Sequence, residues 1–339
     1  VTNIVIVGEA YGEQEEKAQT AFVGAAGYEL NRMLDEAGLR RADCYVTNVF
    51  NRRPTNNKIE AFCGPKQEGI RGYPPLTKSG YVRKEYVPEL ERLADEIVSY
   101  NPNLILALGN TPLWALGGKT GITKYRGVPF ISTHTATGYK VLPTYHPAGI
   151  FRQWSHRPIA IVDLIKAKRE SEYPEIRRPH REIWIEPSLE DLEEFYNRYI
   201  NVPPKRVSVD IETVGDQITC IGFAPTPRIA LVIPFYDSRR KGRHYWFDRD
   251  RERLAWLFVK RILSDKDIKK TFQNGAYDIA FQWRSMGLET YGADEDTMLL
   301  HHSLQPESLK GLGFLGSIYT DEGAWKIERK GTSTIKRDE

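Results

Sequence analysis

Val207-Ser208-Val209-Asp210-Ile211-Glu212 alternates apolar and polar residues, and far downstream the chain carries Asn274-Gly275-Ala276-Tyr277-Asp278. Side chains of a β-strand point alternately to its two faces. Asp210 and Glu212 therefore share one face, while Val207, Val209 and Ile211 take the other. Buried carboxylates at that spacing repel one another unless a cation lies between them. A helix starting near Asn274 puts Asn274 and Asp278 on one face. Three carboxylates and a polar neighbour form the core of a two-metal site for phosphodiester cleavage. The plainer reading is a strand end with two solvated acids and an unrelated helix acid.

The run Asp296-Thr297-Met298-Leu299-Leu300-His301-His302-Ser303-Leu304 separates the two readings. Together these segments, over roughly residues 180–326, resemble the DnaQ-like 3′–5′ exonuclease (proofreading) domain of family A DNA polymerases. The resemblance implies that Asp210, Glu212 and Asp278 are metal ligands for Mg²⁺ or Mn²⁺. It makes Asn274 the polar residue of the second motif, a DNA contact, and Asp296 a structural residue. One family motif, Tyr-x-x-x-Asp, has no counterpart: after Asp278 the tyrosines are Tyr291 and Tyr319, followed four residues later by Glu295 and Gly323. The segment Gly313–Lys326 lies upstream of that motif in the family. The expectation is a chain cut short of its natural end, with an incomplete exonuclease site that is weak or dead. The alternative is an exonuclease fold that only binds.

At 339 residues, two domains are the default. An apolar content of 40% and an aromatic content of 11% suit packed cores. No apolar stretch reaches membrane-spanning length and no signal-peptide pattern opens the sequence, so no membrane association is expected. Cys44, Cys63 and Cys220 lack CxxC spacing, which argues against a disulfide framework or a cysteine metal site and fits a reducing, cytoplasmic setting. The net charge of +3 says little, but no acidic residue falls between Glu96 and Asp163, where Lys119, Lys124, Arg126, Lys140, Arg152 and Arg157 occur. Such a stretch suits phosphate contact; the competing reading is a chance gap over buried strands.

Residues 2–8 read as a buried parallel strand entering a Gly-rich turn. An amphipathic helix with Leu30, Met33, Leu34 and Leu39 on one side follows. Strands are expected at 44–49, 104–108, 129–132 and 140–145, with helices at 87–100 and 155–169. Alternating strands and helices indicate an α/β layer domain. The charged stretch 171–183, with Pro174 and Pro179, reads as a linker. Beyond it, three close strands over 206–235, helices near 251–264 and 275–286, and a strand near 268–273 suit a ribonuclease-H-like architecture. No internal repeat is evident. The domain boundaries expected are 1–172, a linker at 173–183, and 184–339.

The first domain holds five separated segments: Gly8-Glu9-Ala10-Tyr11-Gly12, Ala21-Phe22-Val23-Gly24-Ala25-Ala26-Gly27, Tyr45-Val46-Thr47-Asn48-Val49, Ala107-Leu108-Gly109-Asn110 and Leu142-Pro143-Thr144-Tyr145-His146-Pro147. In this order they resemble the uracil-DNA glycosylase superfamily, especially its family 4 pattern, over nearly all of residues 1–170. A base inside a duplex is out of reach, so such an enzyme flips it into a pocket. Phe22 then stacks on the pyrimidine. The Asn48 amide, both donor and acceptor, matches the O4 and N3–H of uracil. His146 hydrogen-bonds the O2 on which negative charge develops. Glu9, with Glu15 as a further candidate, positions water or balances the sugar cation. Ile150 and Phe151 are placed to wedge into the base stack, with Arg152 for phosphate. Individually each residue has a plain reading: Phe22 as core, Asn48 as a strand-end cap, His146 as a satisfied buried histidine.

Two departures from the family matter. Tyr11 stands where the family has Pro, to gate 5-substituted pyrimidines or to obstruct the site. Two positions that hold iron–sulfur cysteines in family 4 are Arg52 and Tyr86, and no CxxC precedes Gly8, so no cluster is expected. The insertion 59–84 reads as a DNA-contacting loop or a spacer. The whole resembles the front part of phage-type family A DNA polymerases: an α/β parallel-sheet glycosylase-like domain, then an exonuclease domain, with a polymerase domain expected beyond residue 339. Its implied partners are single-stranded 3′ ends and uracil-containing DNA, in the host cytoplasm if phage-encoded. A non-catalytic reader of DNA or modified pyrimidines, and a standalone two-activity repair protein, remain open.

Overall fold

The computed structural model describes residues 3–240, 242–320 and 322. The chain divides into two compact units, and the first begins with β1 (Ile4–Ala10), α1 (Glu13–Ala18), α2 (Ala25–Glu36) and β2 (Cys44–Phe50). A small hairpin, β3 (Cys63–Gly64) and β4 (Tyr81–Val82), precedes α3 (Val87–Tyr100), β5 (Leu104–Leu108), α4 (Asn110–Gly117) and α5 (Ile122–Tyr125). Then come β6 (Phe130–Ile131), β7 (Lys140–Thr144), α6 (Pro147–Ile150) and α7 (His156–Glu170). The main sheet has the order β2-β1-β5-β7-β6, parallel except for β6.

The apolar run in β1 is buried on both faces, as parallel strands under helical layers require. Ile4 and Ile6 pack on one side with Leu30, Met33 and Leu34 of α2 and Leu164 of α7. Val5 and Val7 pack on the other with Leu90, Leu93 and Ile97 of α3 and Trp114 of α4. The result is an α/β/α sandwich. Because β2 lies on one side of β1 and β5 on the other, the connections diverge at the carboxyl end of β1, where open parallel sheets form ligand crevices.

The insertion 59–84 is not a mere spacer, because part of it is built into the core. Phe62, Leu76 and Val82 join the buried core beside Phe50 and Trp114, and the Trp114 indole N–H donates to Pro74 O at 2.7 Å.

The second unit carries β8 (Glu182–Trp184), α8 (Leu189–Phe195), β9 (Arg206–Val214), β10 (Gln217–Thr226), β11 (Ile229–Pro234) and α9 (Arg249–Ser264). It continues with β12 (Lys269–Phe272), α10 (Gly275–Met286), β13 (Ala293–Asp296) and α11 (Thr297–Leu304), whereas the last described helix, α12 (Leu312–Tyr319), belongs from Gly313 onward to the first unit. The sheet order is β13-β12-β9-β10-β11-β8. β9, β10 and β11 form an antiparallel meander, and β12 and β13 extend it parallel to β9. This is the ribonuclease-H-like arrangement.

The break falls between Arg178 and Pro179, inside the linker expected at 173–183. Two details differ: Glu182-Ile183, expected in the linker, pair with Ile229-Ala230 as strand β8, and the chain end changes unit. The described residues from Gly313 onward group with the first unit. Their anchor is polar: buried Arg126 pairs with buried Asp163 and donates to Ser317 Oγ at 2.8 Å. Lys166 Nζ donates to Thr320 O at 2.7 Å. Such spacing-free pairing carries no periodic sequence signal. Asp321 and Gly323–Lys326, part of the segment expected upstream of the third exonuclease motif, lie outside the described residues. Among the described residues no helix is long and apolar enough to cross a membrane.

Candidate active sites

The carboxyl ends of β1, β2 and β7 deliver Glu9, Asn48 and His146 to one place. With Tyr11, Glu15, Phe22, Ala26, Pro54 and Asn57 they line a single cavity of about 190 Å³. Four segments far apart in sequence converge there. Glycine makes the approach possible: a Cβ on Gly8 would lie 2.3 Å from Asn48 Oδ1 and 2.5 Å from the Phe22 ring. Phe22 has a left-handed backbone, with φ +55, an arrangement that L-residues resist and that the surroundings must enforce. Glu15 does so: its Oε1 accepts from Gly24 N at 2.8 Å and Val23 N at 3.1 Å. The Phe22 ring stacks on His146 at 5.5 Å between centroids.

His146 Nδ1 accepts the Ala148 backbone N–H at 3.2 Å, so the neutral ring carries its proton on Nε2. Burial, reinforced by the Arg152 charge, lowers its pKa to about 4. Glu9 shifts the other way. Burial raises its pKa, against the lowering effect of Thr111 Oγ1, which donates to Glu9 Oε2 at 2.5 Å. Asn48 is 2% exposed, and its amide makes no hydrogen bond among the described residues, whereas its backbone O accepts from Arg92 at 2.8 Å. Arg92 also pairs with Glu89 and Glu96, which fixes the end of β2. Neither Arg92 nor Thr111 was legible in the sequence, since both act through partners more than forty positions away. Tyr11 forms part of the wall at 7% exposure and leaves the cavity open.

The loop after α6 departs from the expectation. Ile150 is fully buried in the core, because α6 turns it inward, and so it is no wedge. Phe151 and Arg152 are exposed. The acid-free stretch also reads differently in three dimensions: Arg126, Lys140 and Arg157 are held by Asp163, Glu170 and Glu29 with Glu36. Those three cations serve the fold, leaving Arg152 and Lys124 as exposed ones.

The residues do not fit an iron–sulfur cluster. Arg52 pairs with Glu89 at 3.0 Å, and Tyr86 packs against Phe62 and Phe50 with centroids at 4.5 and 5.8 Å. Burial raises the pKa of Cys63, and that of Cys44 to about 11, disfavouring the thiolates that iron requires.

In the second unit β9 alternates as read, with Val207, Val209 and Ile211 buried and Ser208 and Asp210 exposed. α10 starts at Gly275 with Asn274 as a left-handed cap. Asp278 is buried, accepts the Ile211 N–H at 3.2 Å, and has a pKa raised to about 6 by burial, with the Asp210 charge adding to the rise. Asp296 accepts from the backbone of Asn274, Gly275 and Met298, an architectural role. Asp210 and Asp278 thus sense each other. Yet among the described residues no three His, Cys, Asp or Glu side chains gather closely enough to hold a metal ion. Among the described residues, Asp210, Glu212 and Asp278 do not by themselves form a group that fits a two-metal centre.

Residues 1–169 match the family described as the Uracil DNA glycosylase superfamily. The type-4 uracil-DNA glycosylase of Thermotoga maritima is 37% identical over 171 residues, 49% of this chain and 77% of that protein. The chain therefore belongs to the Uracil DNA glycosylase superfamily through its first domain. A DNA polymerase of Bacillus phage SP01 is 23% identical over 328 residues, 88% of this chain but 32% of that protein, so the chain spans about a third of that relative. Among solved structures, Brucella melitensis NrnC with bound Mg²⁺ aligns to 42% of this chain and 61% of its own at 19% identity and TM-score 0.29.

Proposed function

We propose that the first unit flips a uracil-like base out of DNA and hydrolyses its N-glycosidic bond. The observation carrying this reading is the convergence of Glu9, Phe22, Asn48 and His146 on one cavity too small for anything much larger than a single-ring base. Phe22 stacks on the base, and the Asn48 amide, which makes no hydrogen bond among the described residues, reads its edge. As the bond to the sugar breaks, its electron pair stays with the base. The neutral His146 Nε2–H donates to the O2 that gains charge, an electrostatic stabilisation aimed at the developing anion. Glu9, held by Thr111, takes a proton from the attacking water, whose oxygen bonds to the sugar carbon. Glu15, with both backbone donors on one oxygen, braces the Phe22 turn.

The second unit's fold supports a DNA-processing context, and the alignment to a phage DNA polymerase supports a place for both units in a replicative chain. We assign no metal-dependent step to it. The test is a fluorescent oligonucleotide with one uracil, scored for alkali-labile product. Product that vanishes in His146→Ala and Glu9→Gln supports excision, whereas specific binding without product makes the unit a reader.

A further inference from the structure

Three large aromatic side chains stand exposed on or just after elements that line the cavity: Tyr28 at 70%, Phe151 at 53% and Trp154 at 56%. They come from adjacent elements. Tyr28 is on α2, whose Ala26 lines the cavity, and Phe151 and Trp154 follow α6, whose Ala148 lines it. α2 packs directly on α6 and α7.

Trp154 is not a loosely hanging ring. It lies over the Arg157 guanidinium at 5.4 Å, and that guanidinium donates to Glu29 at 2.6 Å and to both oxygens of Glu36. Glu29 is 3% exposed and Arg157 only 12%. A cation fixed by two carboxylates holds one face of the indole and leaves the other to solvent. That Arg is committed to the fold, so it offers no phosphate contact; Arg152 is exposed one residue after Phe151 and supplies the positive charge there, while exposed Arg32 pairs with Glu29 at 3.4 Å.

Resting on the excision reading, we infer that Trp154, with Tyr28 and Phe151, stacks the unpaired bases flanking the flipped nucleotide, so that the preferred substrate is single-stranded DNA. Every base has a π-face, so such a rim tolerates any sequence and needs bases that are not already stacked in a duplex.

The experiment measures anisotropy of a labelled, uracil-free single strand and of its duplex, using the whole chain. Trp154→Ala should weaken single-strand binding about fivefold to a hundredfold and duplex binding less than about threefold, with Trp154→Phe restoring most of the loss. Equal losses on both DNAs, or none, overturn the inference. So does a dimer in sedimentation that Trp154→Ala dissociates, which would assign the rim to a second copy. Single-strand binding that depends on Trp154 without any abasic product leaves the rim standing while excision fails. Product formation with Trp154→Ala unaffected in binding does the reverse.

Discussion

Glu9 and Glu15 sit in one cavity and are separable by what each already holds. Glu15 Oε1 takes two backbone N–H groups that shape the turn carrying Phe22. Hydrogen bonds to a charged acceptor contribute about 1.5–3 kcal/mol each. Glu15→Ala should therefore cost about 3–6 kcal/mol, and at about 2–4 °C per kcal/mol for a unit of this size its Tm should fall by on the order of 10 °C. Glu15→Gln retains an acceptor oxygen and should lose about half of that stability while keeping kcat within about tenfold. Glu9 makes one side-chain bond, to Thr111, and removing its charge touches no backbone. Glu9→Gln should leave Tm within a few degrees yet cut kcat by about 10²–10⁴. Alkali cleavage of a uracil-containing strand at saturating enzyme, beside thermal melts, reads both quantities. A Glu15→Gln protein with unchanged Tm and a kcat loss as deep as that of Glu9→Gln would refute the division of labour.

Excision should show one ascending limb in its pH–rate profile, because Glu9 must be ionised and burial places its pKa above the ordinary carboxylate value; no inflection should appear near 6.5, since His146 stays neutral down to about 4. The linked stability has the matching sign: the folded state binds fewer protons at His146 than the unfolded chain between pH 4 and 6.5, so stability falls as pH drops through that window, and His146→Gln should remove this slope in pH-dependent melts. Phe62→Ala should cost about 3–5 kcal/mol by emptying the aromatic packing with Phe50 and Tyr86, and purified protein should contain no stoichiometric iron by elemental analysis. Trimming of a 3′-labelled single strand in Mg²⁺ should be within about threefold of the Asp210→Asn Asp278→Asn variant, since no third carboxylate gathers there among the described residues; a much faster wild-type chain would show a working metal centre.

Strand and helix identities were legible because their causes are local. The apolar β1 run, the α3 and α10 periodicities and the alternation of β9 all state their own burial, and the motif order stated the cavity residues Glu9, Phe22, Asn48 and His146. What tertiary structure decided were partners. Only folding committed Arg126, Lys140 and Arg157 to internal carboxylates, turned Ile150 inward while leaving Trp154 out, and folded the 59–84 insertion into the core. Only folding gave Glu15 to a backbone turn and Glu9 to Thr111. A sequence fixes which side chains exist and which face of an element they share. Whether a charge meets water, DNA or another residue depends on contacts between segments distant along the chain, and no local pattern encodes those.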